Sequence, residues 1–589
     1  MEIIDEENGI IAGIDLGTST SEIAVIKDGK PVVIPNKTGS LITPSVVYIG
    51  KAGKDNKPEI IVGENAQEYL LTRPERTFAE VKRNTGSDFI YEVDGKKYKP
   101  EDIQAMQLKY LAECAEDYLG EKIKRAVITV PAYFNDIQRR CTERAGVLAG
   151  LTVERIINEP TAAAMDFGLE HMENESKILV CDLGGGTLDV TVLELFQGVV
   201  DVKATSGNNA LGGKDFDEAL MKYIYKSGAN GGKINNPVSA ARLKSEAVKC
   251  KIALSDSEEY NVLLPLFATD GGENITLEKT VSRSEFENAT RGLLLKMKEP
   301  IQTALREADI EAVNLDMILL VGGATRMPCV AALIRDLLKK EPEQSVDPDL
   351  SVARGAAVQA GIISRAFDPE EEIVLTDVCA FSLHIGAAID GVYDMRRVCH
   401  EMIRRNTTIP AEASYITHPL RDYQDTVVAE VYQGEYKDPD NNTYLGEVAI
   451  NNLPPKKRES NPIQFTMKYD LNGILNVRAE LLSTGKTAET DIDMTNAVMR
   501  VSGGLSADGW KGCPMGKNYR PLIRKAEKLM DDLREEIDFS GIKNEFSSAV
   551  VSAELDFLVE ALKEAIVLDN TERAEELKDE ITDILEGEE

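Results

Sequence analysis

Short apolar runs alternate with amphipathic stretches along the chain up to the segment Ser351–Ile363. Runs such as Lys124–Val130 and Leu151–Ile157 are rich in Val and Ile, which is typical of buried strands. Between and after these runs, Pro100–Leu119 and Asp136–Ala149 carry apolar residues at helical spacing. Strands that alternate with helices in this way predict α/β architecture.

The pattern changes after the acidic segment 368–372. From Ile373 to Met499, short apolar runs are separated by Asn, Asp, Gly and Pro, which predicts a compact β-sandwich or barrel. Residues Val501–Gly516 are glycine-rich and predict a loop, and Pro521–Leu585 has a helical period with a cap at Asn570. The chain has 589 residues, too many for a single core, so we expect several domains.

A glycine turn, Asp182-Leu-Gly-Gly-Gly-Thr187, joins the apolar runs Ile178–Val180 and Val190–Leu193. Consecutive glycines let the backbone turn tightly and approach a ligand with no Cβ in the way. The backbone amides and the Thr187 hydroxyl would donate hydrogen bonds to phosphate oxygens, while Asp182 would hold a divalent cation through water. Taken alone, the pattern is equally typical of an ordinary glycine-rich hairpin.

The same order of strand, Asp-Leu-Gly turn and strand occurs near the start of the chain. Ile10–Ser19 is followed by the apolar runs Glu22–Ile26 and Pro31–Ile34, which makes it an internal repeat of Lys177–Val202. Two such turns facing each other could hold the phosphates of one nucleotide from both sides. A third glycine turn follows an apolar strand within Leu319–Arg326. The sequence has no GxxxxGK[ST] motif, so we do not expect a P-loop NTPase.

Two adjacent basic residues, Lys82 and Arg83, end the segment Thr77–Arg83, which is predicted to form a turn of helix. Charged pairs of this kind most often lie on a solvated face. Judged by its local sequence, Lys82 is therefore expected to be a surface lysine.

Composition excludes several classes of partner. The formal net charge is -33, whereas nucleic acids and acidic lipids bind clustered Lys and Arg, so we expect no nucleic-acid or membrane partner. Residues Met1–Glu7 lack the features of a signal peptide and no apolar run reaches membrane-spanning length, which predicts a cytoplasmic protein. Eight cysteines without a CxxC pair predict free, mostly buried thiols. Four histidines without metal-binding spacing disfavour a histidine-based site.

Six segments, in order, resemble the seventy-kilodalton heat-shock chaperones of the DnaK type over nearly the whole chain. They are Gly13–Thr18, Val127–Asp136, Arg155–Thr161, Asp182–Thr187, Val321–Pro328 and Gly355–Gln359. The resemblance implies a multidomain protein with an actin-like α/β ATPase domain of two lobes, a β-sandwich peptide-binding domain and a short α-helical lid. The implied boundaries are 1–368 for the ATPase domain, 369–377 for the interdomain linker, 378–500 for the β-sandwich and 501–589 for the lid.

The resemblance further implies an ATP or ADP site with magnesium, and potassium as another candidate ion. The implied catalytic residues are Lys82, Glu159, Asp182 and Thr187. Lys82 would position the attacking water and stabilise charge on the γ-phosphate, with Glu159 as a polar aid near that water. Asp15 and Asp182 would hold magnesium through its waters. The residues implied to contact the nucleotide are Asp15, Gly17, Thr18, Ser19, Gly184, Gly185, Gly186, Gly212, Gly213, Lys251, Ser255, Gly322, Gly323, Arg326 and Asp349.

By the same resemblance, the protein binds and releases extended hydrophobic segments of unfolded polypeptides, and ATP hydrolysis closes the peptide site. The implied peptide-pocket residues are Ile385, Ala388, Thr417, Val427 and Ala429. Arg155, Asn158 and Asp377 match positions that engage a J-domain cochaperone. A nucleotide exchange factor is the other implied partner.

Two departures from the family pattern keep an alternative open. Val248 stands where a glutamate near the ribose is usual, which predicts weaker adenosine binding. Thr376 replaces an apolar linker residue, which puts the coupling between domains in question. Both would suit a specialised holdase or regulator that uses nucleotide structurally. A sugar kinase shares the actin-like core but is disfavoured, because a β-sandwich follows the linker.

Overall fold

The computed structural model describes most of the chain. The described residues are 9–52, 58–170, 175–196, 198–228, 237–270, 273–343, 347–367, 374–390, 395–437, 439–491, 516–539, 571–587 and the helical positions 555, 558, 559, 562, 563 and 566. The predictions for 368–372, for the loop 501–515 and for Asn570 lie outside the described residues.

The strands of these residues are numbered in chain order. They are β1 Ile11–Leu16, β2 Thr20–Lys27, β3 Lys30–Val33, β4 Thr43–Pro44, β5 Val46–Ala52, β6 Pro58–Val62, β7 Thr77–Ala79, β8 Tyr91–Val93, β9 Lys96–Tyr98, β10 Arg125–Val130, β11 Thr152–Asn158, β12 Ser176–Leu183, β13 Leu188–Phe196, β14 Val199–Asn208, β15 Glu259–Asp270, β16 Glu273–Ser282, β17 Met317–Val321, β18 Val374–Val378, β19 Leu383–Asp390, β20 Met395–Ile403, β21 Thr408–Ile409, β22 Ala411–Thr417, β23 Val427–Gln433, β24 Thr443–Ile450, β25 Ile463–Tyr469, β26 Leu475–Leu481 and β27 Lys486–Asp491.

The α-helices are numbered in the same way. They are α1 Glu64–Gln67, α2 Tyr69–Thr72, α3 Pro100–Leu119, α4 Asp136–Leu148, α5 Glu159–Glu170, α6 Gly213–Gly228, α7 Pro237–Asp256, α8 Arg283–Leu295, α9 Lys298–Glu307, α10 Pro328–Leu338, α11 Ser351–Ser364, α12 Gly516–Phe539 and α13 Thr571–Gly587. Short 3-10 helices span Pro74–Arg76, Val81–Asn84, Ala312–Asn314, Gly323–Arg326, Pro439–Asn441 and Arg458–Ser460.

The first large sheet has the order β11-β10-β1-β2-β3, and β4 pairs with β2. Strand β1 runs parallel to β10 and antiparallel to β2. Apolar side chains of the sheet, such as Ile14 and Ile128, share one core with Leu108 of α3 and Ala145 of α4. We call this sheet, with α3, α4 and β5–β9, lobe I.

The second large sheet has the order β17-β12-β13-β14-β18-β21. Strand β12 runs antiparallel to β13 and parallel to β17, which is the arrangement of β1 with β2 and β10. The internal repeat predicted from the sequence is therefore confirmed. Side chains of α6, α7 and α8, including Phe216, Leu243 and Phe286, share its core. We call this sheet, with α6–α10 and the hairpin β15–β16, lobe II.

Two helices, α5 and α11, lie between the lobes and share a core with strands of both sheets, from Ile11 and Val127 to Ile178 and Val180. They cross closely because Gly355 has no side chain. A Cβ at Gly355 would lie 1.7 Å from the Ala162 carbonyl oxygen. The small-residue helix predicted at Ser351–Ile363 is thus confirmed.

Two four-stranded antiparallel sheets follow, with the orders β20-β19-β23-β24 and β22-β25-β26-β27. Leu383 and Val431 of the first sheet share a core with Phe465 and Val477 of the second. Two sheets facing each other across one core form a sandwich rather than a barrel. Further on, α12 and α13 share an apolar core with the helical residues Leu555, Leu562 and Ile566.

Two sequence predictions differ from the structure. The predicted helical turn Thr77–Arg83 is partly wrong, because Thr77–Ala79 forms β7 and pairs with β5, and only Val81–Asn84 is helical. The short strand predicted from Ile373 onwards as part of the β-sandwich region is found as β18, but it pairs with β14 of the lobe II sheet instead of with either sheet of the sandwich.

The cysteine prediction holds for the described residues. Six of the seven described cysteines are buried free thiols, and Cys399 is half-buried. None of the helices in the described segments combines the length and the apolarity needed to cross a bilayer.

Candidate functional site

The two repeated glycine turns meet at the cleft between lobe I and lobe II. A Cβ built on Gly185 would lie 2.1 Å from Ser19 Oγ, and one on Gly186 would lie 3.1 Å from Thr18 Oγ1. Any side chain on these glycines would therefore press on the opposite turn. The predicted arrangement of two facing turns is confirmed.

A further glycine pair supports the turn in lobe II. The Gly213 amide donates to the Gly184 carbonyl at 2.9 Å, and the Lys214 amide donates to the Gly185 carbonyl at 3.0 Å. A Cβ on Gly212 would lie 2.5 Å from the Gly186 amide nitrogen. The turn itself is closed by the Gly184 amide, which donates to the Thr187 carbonyl at 3.1 Å.

Each of the two predicted aspartates faces a second carboxylate across its hairpin. Asp15 pairs with Glu22 and Asp182 pairs with Asp189, in each case seven residues later. Glu22 and Asp189 are both buried. Neither residue was predicted from the sequence, although the repeat carries the signal: each turn is followed at the same spacing by an acidic residue on the facing strand.

Negative charge is in excess at this site. Burial, followed by the charge of Glu159, raises the pKa of Asp15 and of Asp189 to about 7. The same two causes raise the pKa of Asp182 well above its ordinary value. Within the described residues, Asp189 Oδ2 and Glu22 Oε1 have no hydrogen-bond partner. Uncompensated carboxylates of this kind suit a bound cation.

The described residues include no group of three or more His, Cys, Asp or Glu side chains placed to hold a metal ion directly. Magnesium usually keeps several of its waters and is held through one or two carboxylates and substrate phosphates. The carboxylates of Asp15 and Asp182 beside a glycine cradle fit that mode of binding.

Lys82 is buried, with 5% of its side chain exposed, and forms an ion pair with Glu159. Its Nζ atom lies 5.6 Å from the centre of the Phe134 ring. Lys82, Thr18 and Thr187 line a small cavity of about 30 Å³ between the lobes. The expectation of a solvated lysine is therefore wrong, because the 3-10 turn Val81–Asn84 directs this side chain into the cleft.

A larger cleft of about 450 Å³ lies in lobe II beside the third glycine turn. Four of the predicted nucleotide residues line it: Lys251, Ser255, Gly323 and Arg326. Asp349 pairs with Arg326 at 2.6 Å, and a Cβ on Gly323 would lie 2.9 Å from Asp349 Oδ1. This cleft has the size and the polar rim of a small-molecule site.

Gly322 connects this cleft to the carboxylates. Its φ of 82° lies in the left-handed region, which favours glycine. A Cβ there would lie 2.6 Å from Asp182 Oδ1. The predicted residue Gly17 is equally constrained, because a Cβ on it would lie 2.1 Å from the Thr20 carbonyl oxygen. Val248 lies half-buried on α7 and is not among the residues that line the cleft.

Comparison with known proteins agrees with this geometry. The family model described as Hsp70 protein matches residues 11–94 and 90–589. The Chaperone protein DnaK of Thermotoga petrophila is 43% identical over 487 residues, which are 82% of this chain and 80% of that protein. The chain belongs to the Hsp70 family. It is an ATP-dependent molecular chaperone and an ATPase, and no finding favours the holdase alternative.

The three residues that the Hsp70 resemblance assigned to a J-domain contact lie near one another. Asn158 Nδ2 donates to Asp377 Oδ2 at 2.9 Å, and Thr161 Oγ1 donates to the same oxygen at 3.2 Å. Arg139 Nη2 donates to Asn158 Oδ1 at 2.7 Å. Asn158 and Asp377 are buried in this arrangement, whereas Arg155, three residues away on β11, is half-buried.

The β-sandwich contacts the start of α4. The Leu475 amide donates to Asp136 Oδ1 at 2.7 Å, and the Asp136 amide donates to Gln433 Oε1 at 3.1 Å. The Ile156 amide donates to Asn472 Oδ1 at 3.1 Å. The sandwich of this Hsp70 is therefore joined to lobe I by hydrogen bonds to β11 and α4.

The five predicted peptide-pocket residues are divided between the two sheets of the sandwich. Ile385 on β19 and Ala429 on β23 are buried in its core, and Val427 on β23 packs against that core. Thr417 ends β22 in the other sheet and is half-buried. Ala388 lies on β19, with its side chain outside the described residues.

Two exposed apolar residues next to this set were missed by the sequence analysis. Ile416 is 53% exposed and Val428 is 48% exposed. They neighbour Thr417 and Val427, and successive side chains of a strand point to opposite faces. The alternation of inward and outward side chains along β22 and β23 identifies both residues as exposed, but only once the pairing of these strands is known.

Proposed function

We propose that one ATP binds in the cleft between lobe I and lobe II, with its phosphates between the two glycine turns and its adenosine in the lobe II cleft. The observation that carries this proposal is the juxtaposition of Ser19 and Thr18 with Gly185 and Gly186. Amides of a turn without side chains can surround phosphate oxygens closely. Lys251, Ser255, Arg326 and the other residues of the lobe II cleft then contact the nucleoside.

Hydrolysis in such a site rests on positioning and electrostatics. Lys82 orients the attacking water and stabilises the charge that develops on the γ-phosphate, and its ion pair with Glu159 fixes the ammonium group. Thr187 and Thr18 donate to phosphate oxygens. Magnesium, when bound, neutralises part of the phosphate charge. Asp15 and Asp182 would hold this cation through its waters, and Asp189 Oδ2, which has no hydrogen-bond partner within the described residues, would suit potassium as a second ion.

The domain layout implied by the resemblance gives this ATPase its role. We propose an ATPase domain at 1–368, a linker at 369–377, a peptide-binding sandwich at 378–500 and a lid at 501–589. Strand β18 of the linker pairs with β14 of lobe II, and Asp377 accepts a hydrogen bond from Asn158 at the end of β11 in lobe I. A change in the angle between the lobes would therefore disturb the linker and the sandwich together.

Clients would bind the sandwich as extended apolar segments, through main-chain hydrogen bonds and a pocket formed by Ile385, Ala388, Thr417, Val427 and Ala429. A J-domain cochaperone would contact the half-buried Arg155 directly. It would contact Asn158 and Asp377 only after the hydrogen bond between these two buried residues breaks. Exchange of ADP would require opening of the cleft, which is the step that an exchange factor would promote. The cytoplasmic location stays a prediction.

The catalytic assignment is tested by Lys82→Ala in a single-turnover ATP hydrolysis assay. We expect the rate to fall by roughly a hundredfold or more, the usual cost of removing one preorganised charge from a transition state. Lys37→Ala is a matched control, because Lys37 is an exposed lysine of lobe I paired with Glu113. A wild-type hydrolysis rate for the Lys82 variant would show that the lysine has another role.

The chaperone cycle is tested by the release of a fluorescent peptide from the wild-type protein. We expect faster release with ATP than with ADP, because linker and sandwich are joined to the two lobes. Equal release rates with the two nucleotides would favour the holdase alternative. The hydrolysis assay and the release assay separate a failed catalytic assignment from a failed coupling.

A further inference from the structure

The turn that carries Lys82 is fixed to lobe II from one side by Glu80. Glu80 Oε1 lies 3.0 Å from Lys244 Nζ on α7 and 3.4 Å from Lys214 Nζ on α6. The glutamate side chain is 23% exposed. One carboxylate of lobe I thus binds two helices of lobe II.

On the other side of Lys82, Arg83 makes a second link to lobe II. Arg83 Nη2 lies 2.9 Å from Asp215 Oδ2. The same oxygen accepts a hydrogen bond from the Gly212 amide at 2.7 Å. Since Gly212 packs on Gly186, the guanidinium group is joined through Asp215 to the phosphate-binding turn of lobe II.

The backbone of Glu80 supports a specific role for this contact. Its φ of 59° places a residue with a Cβ in the left-handed region, which is unfavourable for glutamate. Residues in such conformations persist where surrounding interactions hold them, and they cluster at functional sites. Burial opposes the ionisation of Glu80, yet Lys214 and Lys244 hold its pKa below the ordinary value.

Most exposed ion pairs contribute little to stability, so a solvated pair with no function is the alternative explanation. Three features count against it here. The ion pairs join two lobes rather than neighbouring turns of one helix, and two lysines share the carboxylate of Glu80. Glu80 and Arg83 also stand two residues before and one residue after the buried Lys82.

We propose that Glu80 and Arg83 are positioning residues, which place Lys82 against the phosphate-binding turns only while the two lobes are closed. This inference rests on the proposed role of Lys82. Closure of the cleft forms the contacts of Glu80 and Arg83 with lobe II, and these contacts set the distance between the ammonium group and the phosphates. Opening of the cleft breaks the ion pairs and withdraws the lysine. Hydrolysis is thereby limited to the state that retains the nucleotide.

The test uses the full chain with Glu80→Gln, which removes the charge and keeps the size of the side chain. The variant should hydrolyse ATP roughly threefold to tenfold more slowly in a single turnover, and should release a fluorescent ADP faster by a similar factor. Lys244→Met should have a smaller effect in the same direction, since Lys214 remains. In the double variant the two effects should not add, because both substitutions break one network.

Controls separate positioning from loss of structure. Glu80→Asp should recover part of the hydrolysis rate, and Lys37→Met, which breaks an exposed ion pair within lobe I, should change neither rate. Melting temperatures of the variants should stay close to that of the wild type. Wild-type hydrolysis and ADP-release rates for Glu80→Gln would overturn the proposal.

The two variants distinguish a failure of the Lys82 assignment from a failure of this inference. If Lys82→Ala hydrolyses ATP normally while Glu80→Gln releases ADP faster, the catalytic role of the lysine fails and the closure of the cleft by these ion pairs stands. A Glu80→Gln variant that slows hydrolysis only in proportion to a loss of folded protein would count against positioning.

Discussion

Ser19 and Gly185 touch across the cleft between the two lobes. The Ser19 side chain occupies the position where a side chain of Gly185 would otherwise begin, with only 2.1 Å between Oγ and that Cβ position. The two copies of the internal repeat therefore contact each other at their turns. Position 185 of the phosphate-binding turn must therefore be glycine, because Ser19 of the other lobe leaves no room for a side chain there.

Gly185→Ala should weaken nucleotide binding without unfolding the protein. The new methyl group forces Ser19 Oγ to rotate away from the cleft, so one phosphate contact is lost. We expect ADP to bind about tenfold more weakly, which corresponds to ~1.4 kcal/mol. Isothermal titration calorimetry measures the affinity, and a thermal melt without nucleotide checks the fold.

A matched control is Gly292→Ala, since a Cβ on this glycine of α8 would meet no atom within 4 Å. It should leave ADP binding unchanged. In a Ser19→Ala background, Gly185→Ala should cost little more, because the hydroxyl that it displaces is already absent. Full additivity of the two substitutions would contradict the contact as the cause.

The phosphate turns could be predicted from the sequence because glycine runs and the Asp-Leu-Gly repeat are local signals. The facing carboxylates could not be predicted as readily. Asp189 and Glu22 become site residues only through the hairpin register, which sets them opposite Asp182 and Asp15. The burial of Lys82 likewise depends on tertiary packing, since its own segment is short and polar.

The sheet that the linker strand joins was missed for a similar reason. Val374–Val378 lies among the short strands predicted from Ile373 onwards, but its pairing with β14 of lobe II depends on tertiary structure that a five-residue segment does not specify. In contrast, α3 was predicted at Pro100–Leu119 and is found at those residues, since its apolar period is long and a proline starts it.

Magnesium binding should strengthen as the pH rises from about 6 to 8. The pKa values of Asp15 and Asp189 are raised to about 7, so both carboxyls are largely protonated below that pH and charged above it. Protons therefore compete with the cation at low pH. Asp189→Asn removes one titrating group and should flatten the pH dependence.

The measurement is a magnesium titration of fluorescent ADP binding at several pH values. Asp117→Asn serves as the control, because that carboxylate of α3 is 73% exposed, unlike the buried carboxylates of the site. It should leave the pH dependence unchanged. A magnesium affinity that is constant between pH 6 and 8 would show that neither carboxyl titrates in this range.

Thr376→Val should loosen the linker strand. Thr376 Oγ1 donates a hydrogen bond to Asp201 Oδ1 on β14, next to the backbone pairing of the two strands. The polar residue at this position therefore adds a side-chain hydrogen bond between the linker and lobe II, and its effect on the coupling between domains stays a prediction. Valine keeps the shape and the strand propensity but removes the donor, and a hydrogen bond to a charged acceptor contributes about 1.5–3 kcal/mol. Asp201 keeps Lys203 as a partner at 2.6 Å, so the cost should lie at the low end of that range.

Hydrogen exchange followed by mass spectrometry measures the effect. With ATP bound, we expect the backbone amides of Leu375–Val378 to exchange roughly tenfold faster in the variant than in the wild type. The ATP-dependent acceleration of peptide release should fall in the same variant, because the linker strand connects the lobes to the sandwich. Thr280→Val is the control: Thr280 is an exposed residue of β16, which belongs to the separate two-stranded sheet β15–β16 of lobe II, so its substitution should leave peptide release unchanged. Unchanged exchange in Thr376→Val would mean that the backbone pairing with β14 holds the linker without the threonine. Faster exchange with unchanged peptide release would mean that the linker strand does not couple nucleotide binding to peptide release.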